Sequence, residues 1–172
     1  MKKILFSAAA AAMLLSCNSD DNNDSTNVSV EGTWELTKFE LTEEVDLDND
    51  GTASANLMDQ TECFNNSTLV FDADNTADFN IESLDVTIEP VEGGAEGEYE
   101  YVVTCEGVET NTYTYTTSNN VVTVDTGTLP IALTRDGNKL TFAIPQFSSI
   151  PVEENGEITT LQTGAYLEFT KQ

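Results

Sequence analysis

The sequence predicts an all-β fold over residues 31–172, an up-and-down antiparallel barrel of about eight to ten short strands. Three observations predict it. Apolar and polar residues alternate in short segments, and turn-forming residues separate one segment from the next. No stretch has an amphipathic helical period of useful length. We favour a closed barrel over a Greek-key sandwich, because closure of successive hairpins removes exposed strand edges.

The first strand is predicted at residues 31–41, with a bulge in its middle. Trp34 and Leu36 share one parity, whereas Phe39 has the opposite parity. This change of phase near Thr37-Lys38 is typical of a β-bulge where a strand bends around a barrel. Trp34 is the only tryptophan, and we predict that it is a buried residue closing one end of the barrel.

Hairpins account for most of the remaining chain. Turns are predicted at Ala73-Asp74-Asn75, Ser118-Asn119-Asn120 and Asp136-Gly137-Asn138, and the Asp-Gly pair of the last suits a tight turn. A glycine-rich loop follows Pro90. The later strands are predicted at 67–72, 76–81 continuing through Ile88, 99–105, 113–115, 121–125, 131–133, 140–144, 158–162 and 165–171.

The charge balance excludes nucleic acid as a partner. The chain has 31 acidic and 6 basic side chains, and two of the basic ones precede the predicted cleavage site described below. The mature net charge is therefore 4 − 31 = −27, which repels polyphosphate. The remaining basic residues are too scattered to form a patch that releases phosphate counterions. They are Lys38, Arg135, Lys139 and Lys171.

The absence of histidine argues against an enzyme. Histidine is the commonest general base and zinc ligand, and it activates most serine and cysteine nucleophiles. The 31 acidic residues have no spacing that singles out a catalytic pair. We therefore predict a non-enzymatic protein.

Residues 1–16 are predicted to be a signal peptide that is removed. Lys2 and Lys3 precede an apolar run of 12 residues, too short to span a bilayer core of about 30 Å. Leu14-Leu15-Ser16-Cys17 resembles the lipobox of bacterial lipoproteins. The resemblance implies that Cys17 heads the mature chain and carries covalent acyl chains such as palmitate. The alternative is ordinary cleavage that leaves a free thiol.

Residues 17–30 are predicted to form a disordered acidic tether between the lipid and the barrel, because they have almost no apolar residue to bury. Ser19-Asp20-Asp21 resembles the acidic signal that sends some Gram-negative lipoproteins to the outer face of the outer membrane. We therefore expect a location in the outer membrane, facing the cell exterior. The alternative is a solvated linker without sorting information.

The folded part is similar to the lipocalin-like domain of small bacterial lipoproteins, a calycin-type barrel. The resemblance rests on Gly32-Thr33-Trp34, on Cys63 just ahead of residues 67–71, on an acidic turn, on a second cysteine and on an aromatic last strand. It implies that a basic residue of the last strand packs over Trp34. In lipocalins this residue is an arginine, and here the nearest match is Lys171, which lacks the planar guanidinium.

Cys63 and Cys105 are predicted to form a disulfide, because they are expected beyond the inner membrane, where thiols oxidise. The bond closes a loop of about 42 residues, for which the chain-entropy model gives a stabilisation of roughly 4 kcal/mol. Two buried free thiols are the alternative.

The segment from Asp46 to Ser54 matches the first part of a calcium-binding loop. Its acids alternate and precede a glycine, a spacing that lets side chains converge on a hard cation when the backbone wraps around it. The bidentate acid of the twelfth position is missing, because Leu57 stands there, although Asp59 follows closely. The alternative is a solvated acidic turn. The predicted ligands are Asp46, Asp48, Asp50, Thr52 and Ser54.

Two functions of different kinds remain open. The first is a binding protein that takes a small apolar molecule in the barrel mouth, or a glycan or protein on its loops. The second is a structural envelope protein whose barrel is filled by its own inward side chains. A third, protease inhibition by a loop at residues 89–98, has only loop length in its favour. The predicted inward residues are Trp34, Phe71, Phe79, Tyr101 and Phe142.

Overall fold

The computed structural model describes residues 29–95, 98–154 and 157–172. They form nine strands and one short helix, in the order β1 (Gly32–Val45), β2 (Ser54–Asn56), α1 (Leu57–Gln60), β3 (Thr68–Phe71), β4 (Thr76–Pro90), β5 (Tyr99–Ser118), β6 (Val121–Asp125), β7 (Ile131–Asp136), β8 (Lys139–Glu154) and β9 (Glu157–Lys171).

The strands form one antiparallel sheet that closes on itself. From β3 to β9 each strand pairs with its successor in the chain, and β1 pairs with both β3 and β9. The result is an eight-stranded up-and-down barrel, as predicted. The short β2 lies outside the ring and pairs with the distal part of β1.

The predicted bulge in β1 is confirmed. Leu36 pairs with Phe169 and Lys38 pairs with Glu168, so Thr37 is an extra residue in β1. Its hydroxyl lies 2.9 Å from that of Thr170 and donates to the carbonyl of Glu168. The bulge turns the two parities of β1 toward the same interior.

The three predicted hairpin turns are also confirmed. Asn75, Asn119 and Gly137 have φ angles of 66°, 54° and 59°, respectively. Asparagine and glycine adopt this left-handed region most readily. These turns and the chain end at Gln172 define what we term the closed end of the barrel. The β4–β5 and β8–β9 connections, together with residues 46–67, lie at the opposite, open end.

Several strands are longer than the sequence predicts. β5 continues through the expected break after Cys105, because a bulge at Glu106 and Gly107 absorbs the change of phase. Gly107 has a φ of 82°, which a residue with a side chain rarely adopts. The loop expected at residues 89–98 is shorter than predicted, because Glu89 and Pro90 belong to β4.

Pro145 and Pro151 lie inside β8, which continues well beyond the strand predicted at residues 140–144. β8 tolerates them because this part of it has a neighbour on one side only, so a missing N–H that faces outward removes no ladder bond. The irregularity between Ile144 and Ser148 presses β8 against Gly164 of β9. A Cβ at Gly164 would lie 3.0 Å from the carbonyl oxygen of Pro145.

The barrel wall is continuous only near the closed end. Among the described pairings, residues 99–113 of β5 pair with β4 alone, and residues 142–154 of β8 pair with β9 alone. The reason is that β6 and β7 are short: β6 ends at Asp125 and β7 begins at Ile131. Toward the open end the wall is therefore split between β5 and β8.

The core is densest at the closed end. Two perpendicular pairs of aromatic rings pack there, Phe71 with Tyr115 and Phe79 with the half-buried Tyr113. Apolar side chains from every strand of the ring fill the space between them. The fully buried ones are Trp34, Leu69, Phe71, Ala77, Val122, Val124, Leu133, Leu140 and Phe169.

Candidate functional site

The open half of the barrel contains a cavity of about 370 Å³. This volume is within the range of roughly 300–1,000 Å³ that is typical of small-molecule sites. Its floor is formed by buried residues such as Leu69 and Phe79, above the filled closed end. The lining is mostly aliphatic and aromatic: Phe39, Leu47, Leu57, Phe64, Leu69, Phe79, Ile81, Leu84, Val86, Ile131, Phe142, Ile144, Phe147, Ile150 and Leu167.

The polar residues of the lining lie at the two strand irregularities. Ser83 precedes the register shift in β4, and Ser148 follows the one in β8. Glu82 and Asp85 flank the first of them. Ser83, Asp85 and Phe147 are exposed, so this is where the cavity meets solvent. The sequence signal for this rim is the change of apolar parity between Ile81 and Leu84, which is typical of a strand irregularity.

Three aromatic rings form one side of the cavity. Phe39 packs against Phe64 at 4.7 Å between ring centroids and against Phe147 at 5.0 Å. Phe147 is 38% exposed, whereas Phe39 and Phe64 are buried. The wall therefore joins the barrel core to the solvent edge through continuous apolar surface.

Residues 46–67 form the wall that replaces the short β3 at the open end. They contribute Leu47, Leu57 and Phe64 to the cavity. The predicted disulfide joins Cys63 of this segment to Cys105 of β5. A second attachment comes from Asn49, whose side chain accepts from the backbone N–H of Tyr101 and donates to its carbonyl. The segment is thus fastened to β5 at two places.

The acids of the predicted calcium loop converge. One carboxylate oxygen from each of Asp46, Asp48 and Asp50 lies within 4.8 Å of the others. Their carboxylates also accept hydrogen bonds from backbone N–H groups of the same loop. The N–H of Gly51, for example, donates to the carboxylate of Asp46 at 3.0 Å. Asn49 and Gly51 have φ angles of 57° and 85°. These left-handed backbone conformations allow the sharp turn of the loop. Oxygen ligands in this arrangement suit a hard cation.

The other two predicted ligands are engaged in hydrogen bonds. The carbonyl of Thr52 accepts from the side-chain amide of Gln60 at 3.1 Å, and the same amide accepts the N–H of Leu47 at 2.7 Å. The hydroxyl of Ser54 donates to Asp59 at 3.3 Å. Gln60 is buried and holds both ends of the loop. Nothing in its sequence position signals this role.

The acidic loop lies close to β5 and affects the pKa of Tyr101 on that strand. Burial raises the pKa of its phenol above 10.0, and the negative charge of Asp46 raises this pKa further. Asn49 of the same loop holds the backbone of Tyr101 through two hydrogen bonds.

Lys171 lies where the resemblance placed a basic residue. Its ammonium is 5.5 Å from the centre of the Trp34 ring and donates to the carbonyl of Ser29. The indole N–H of Trp34 donates to the carbonyl of Val30 at 2.7 Å. Both hydrogen bonds hold Ser29 and Val30, where the chain enters the barrel, at the closed end. Cys17 and the tether up to residue 28 lie outside the described residues, so the predicted lipid remains a prediction.

No protein-family model, curated protein or solved structure matches the chain. Within the three described segments, no helix is both long and apolar enough to cross a bilayer. Function must therefore be inferred from the cavity, the loop and the sequence motifs.

Proposed function

We propose that this chain is a non-enzymatic bacterial lipoprotein that carries a small apolar molecule in a lipocalin-like barrel. The observation that supports this function most strongly is the apolar cavity of about 370 Å³ in the open half. Burial of apolar ligand surface in such a space contributes about 25 cal/mol per Å². The split wall between β5 and β8 offers a route into it.

The position of the chain entry agrees with this role. Ser29 and Val30 are held at the closed end by Lys171 and Trp34. An acylated Cys17 therefore joins the barrel at the end opposite the cavity. With the anchor in the outer membrane, ligand would enter from the aqueous side.

Binding of an uncharged apolar dye tests the proposal. We expect N-phenyl-1-naphthylamine to bind the mature chain, residues 17–172, with a rise in fluorescence and one site per molecule. Cys17→Ser removes the lipid, so that no detergent is needed to keep the protein in solution. Ile81→Trp fills the cavity and should reduce the affinity at least about tenfold, a change of about 1.4 kcal/mol in binding free energy.

Ile158→Trp is the matched control, because Ile158 is 51% exposed and does not line the cavity. It should bind the dye as the unsubstituted chain does. Ile81→Trp should retain its melting temperature, since it fills empty space. Equal binding by both variants, or no binding by the unsubstituted chain, would refute the carrier function and favour the structural envelope protein.

We further propose that the loop at Asp46, Asp48 and Asp50 binds calcium. Their convergence supports the site, and the missing twelfth-position acid implies a weak one, with a Kd of roughly 10⁻⁴ to 10⁻³ M. About 10 mM calcium should then stabilise the fold by about 1.4 to 2.7 kcal/mol.

The measurement is thermal unfolding with and without calcium. The double variant Asp48→Ala with Asp50→Ala should lose the increase in melting temperature. Glu43→Ala with Glu44→Ala removes two exposed acids just before the loop and should keep the increase. If magnesium gives the same increase, or the control pair also loses it, the effect is screening of the acidic surface and the site does not exist.

A further inference from the structure

The charges of the residues that line the cavity indicate which polar head group a ligand can have. Its lining includes no lysine or arginine among the described residues. The cations of the described chain are held elsewhere: Lys38 pairs with Glu40, Lys139 pairs with Glu168, and Lys171 lies over Trp34. The fourth, Arg135, donates to the carbonyl of Asn119 in the β5–β6 turn at the closed end.

The polar groups that do line the cavity are carboxylates and hydroxyls. Glu82 accepts from both the backbone and the side-chain N–H groups of Asn66, at 3.0 and 3.1 Å, which holds its charge at the rim. Asp85 is exposed beside it on β4. Ser83 and Ser148 contribute hydroxyls from opposite sides of the mouth. A ligand head that enters here meets acceptors and negative charge.

We propose that the cavity selects apolar molecules whose head donates hydrogen bonds, an alcohol or an amine, and rejects those with an anionic head. This proposal rests on the carrier function above. An ionised carboxylate or phosphate at the rim would lose hydration without gaining a cationic partner. It would also approach the carboxylates of Glu82 and Asp85, which repel a like charge.

Displacement of N-phenyl-1-naphthylamine by three probes with twelve carbon atoms each tests the head group. We expect dodecanol and dodecylamine to displace the dye from residues 17–172 carrying Cys17→Ser, at concentrations at least about tenfold lower than dodecanoate. All three must be used below the concentration at which they form micelles. The alkyl chain of dodecanoate is one methylene shorter, which accounts for about 0.8 kcal/mol, so a difference beyond tenfold, about 1.4 kcal/mol, reports the head.

A single added cation should change the preference. Ser83→Lys places an ammonium at the mouth, where it should increase the affinity for dodecanoate at least about tenfold and weaken that for dodecylamine. Ser118→Lys is the control, because it adds the same charge at the closed end. Ser83 pairs with Gly107 on β5, and the span from there to Ser118 is about 35 Å at 3.3 Å per residue. That is well beyond the screening length of about 8 Å at physiological salt.

The outcomes separate the two proposals. If the dye binds but the three probes displace it equally, or dodecanoate is the strongest, the head-group preference is wrong and the carrier function stands. If neither the dye nor any probe binds, the carrier function itself fails. If Ser118→Lys changes the preference as much as Ser83→Lys does, the effect belongs to net charge and the rim does not select.

Discussion

Replacing Trp34 with alanine should destabilise the protein by about 3–5 kcal/mol, a large part of the 5–15 kcal/mol that is typical of a domain. The side chain is fully buried, and Trp34 pairs with Leu69 on β3 and with Lys171 on β9. Its loss leaves a cavity where β1 closes the ring. It also leaves the carbonyl of Val30 without its indole donor.

Urea unfolding followed by far-ultraviolet circular dichroism measures this loss without relying on tryptophan fluorescence. Leu129→Ala is the matched control, because Leu129 is 78% exposed, and its effect should be within about 0.5 kcal/mol of zero. A loss below about 1 kcal/mol for Trp34→Ala would mean that the indole does not hold the closed end together.

Removal of the disulfide should have an effect of similar size. Replacing Cys63 and Cys105 by alanine should reduce the free energy of unfolding by about 4 kcal/mol, because the open chain gains the entropy of a loop of 42 residues. The native state also loses one of the two attachments of residues 46–67 to β5. Since this segment supplies Leu47, Leu57 and Phe64 to the cavity wall, dye affinity should fall as well.

Reduction of the unsubstituted protein provides the control. Dithiothreitol should lower its stability toward that of the double alanine variant and leave the variant unchanged. Stability that is the same before and after reduction, in a sample whose thiols titrate as reduced, would contradict the role of the bond. Retained dye affinity in a destabilised variant would show that the remaining contacts of residues 46–67, including that of Asn49 with Tyr101, hold the wall.

Local sequence patterns predicted those features of the fold that local chemistry determines. The change of parity between Leu36 and Phe39 placed the bulge at Thr37 correctly. The Asp136-Gly137-Asn138 turn followed from the φ that glycine permits. Two cysteines in an expected oxidising compartment left one pairing, and it is the pairing found.

The cavity in the open half of the barrel could not be predicted from the same patterns. Phe79 and Phe142 point inward as expected, and both line the cavity instead of filling it. Whether inward side chains meet depends on how the strands are arranged around the interior, and β5 and β8 lose their neighbours toward the open end. That loss results from the shortness of β6 and β7, and residue alternation within β5 or β8 carries no information about it.

Long-range polar contacts were also beyond prediction. Asn49 bonds the backbone of Tyr101, 52 positions away in the sequence. Gln60 links Leu47 to Thr52 within the same wall. Each depends on a close approach that only the folded barrel creates, although both residues lie in the segment that the calcium motif had singled out.

Xenon binding tests most directly whether the open half is hollow and apolar. Crystals of residues 17–172 carrying Cys17→Ser, held under xenon pressure, should show xenon between Phe79, Leu84 and Phe142, because apolar cavities of this kind take up the gas. A diffraction map without xenon there, with Phe147 or Phe142 rotated into the space, would contradict the account, because the barrel would then be filled by its own side chains.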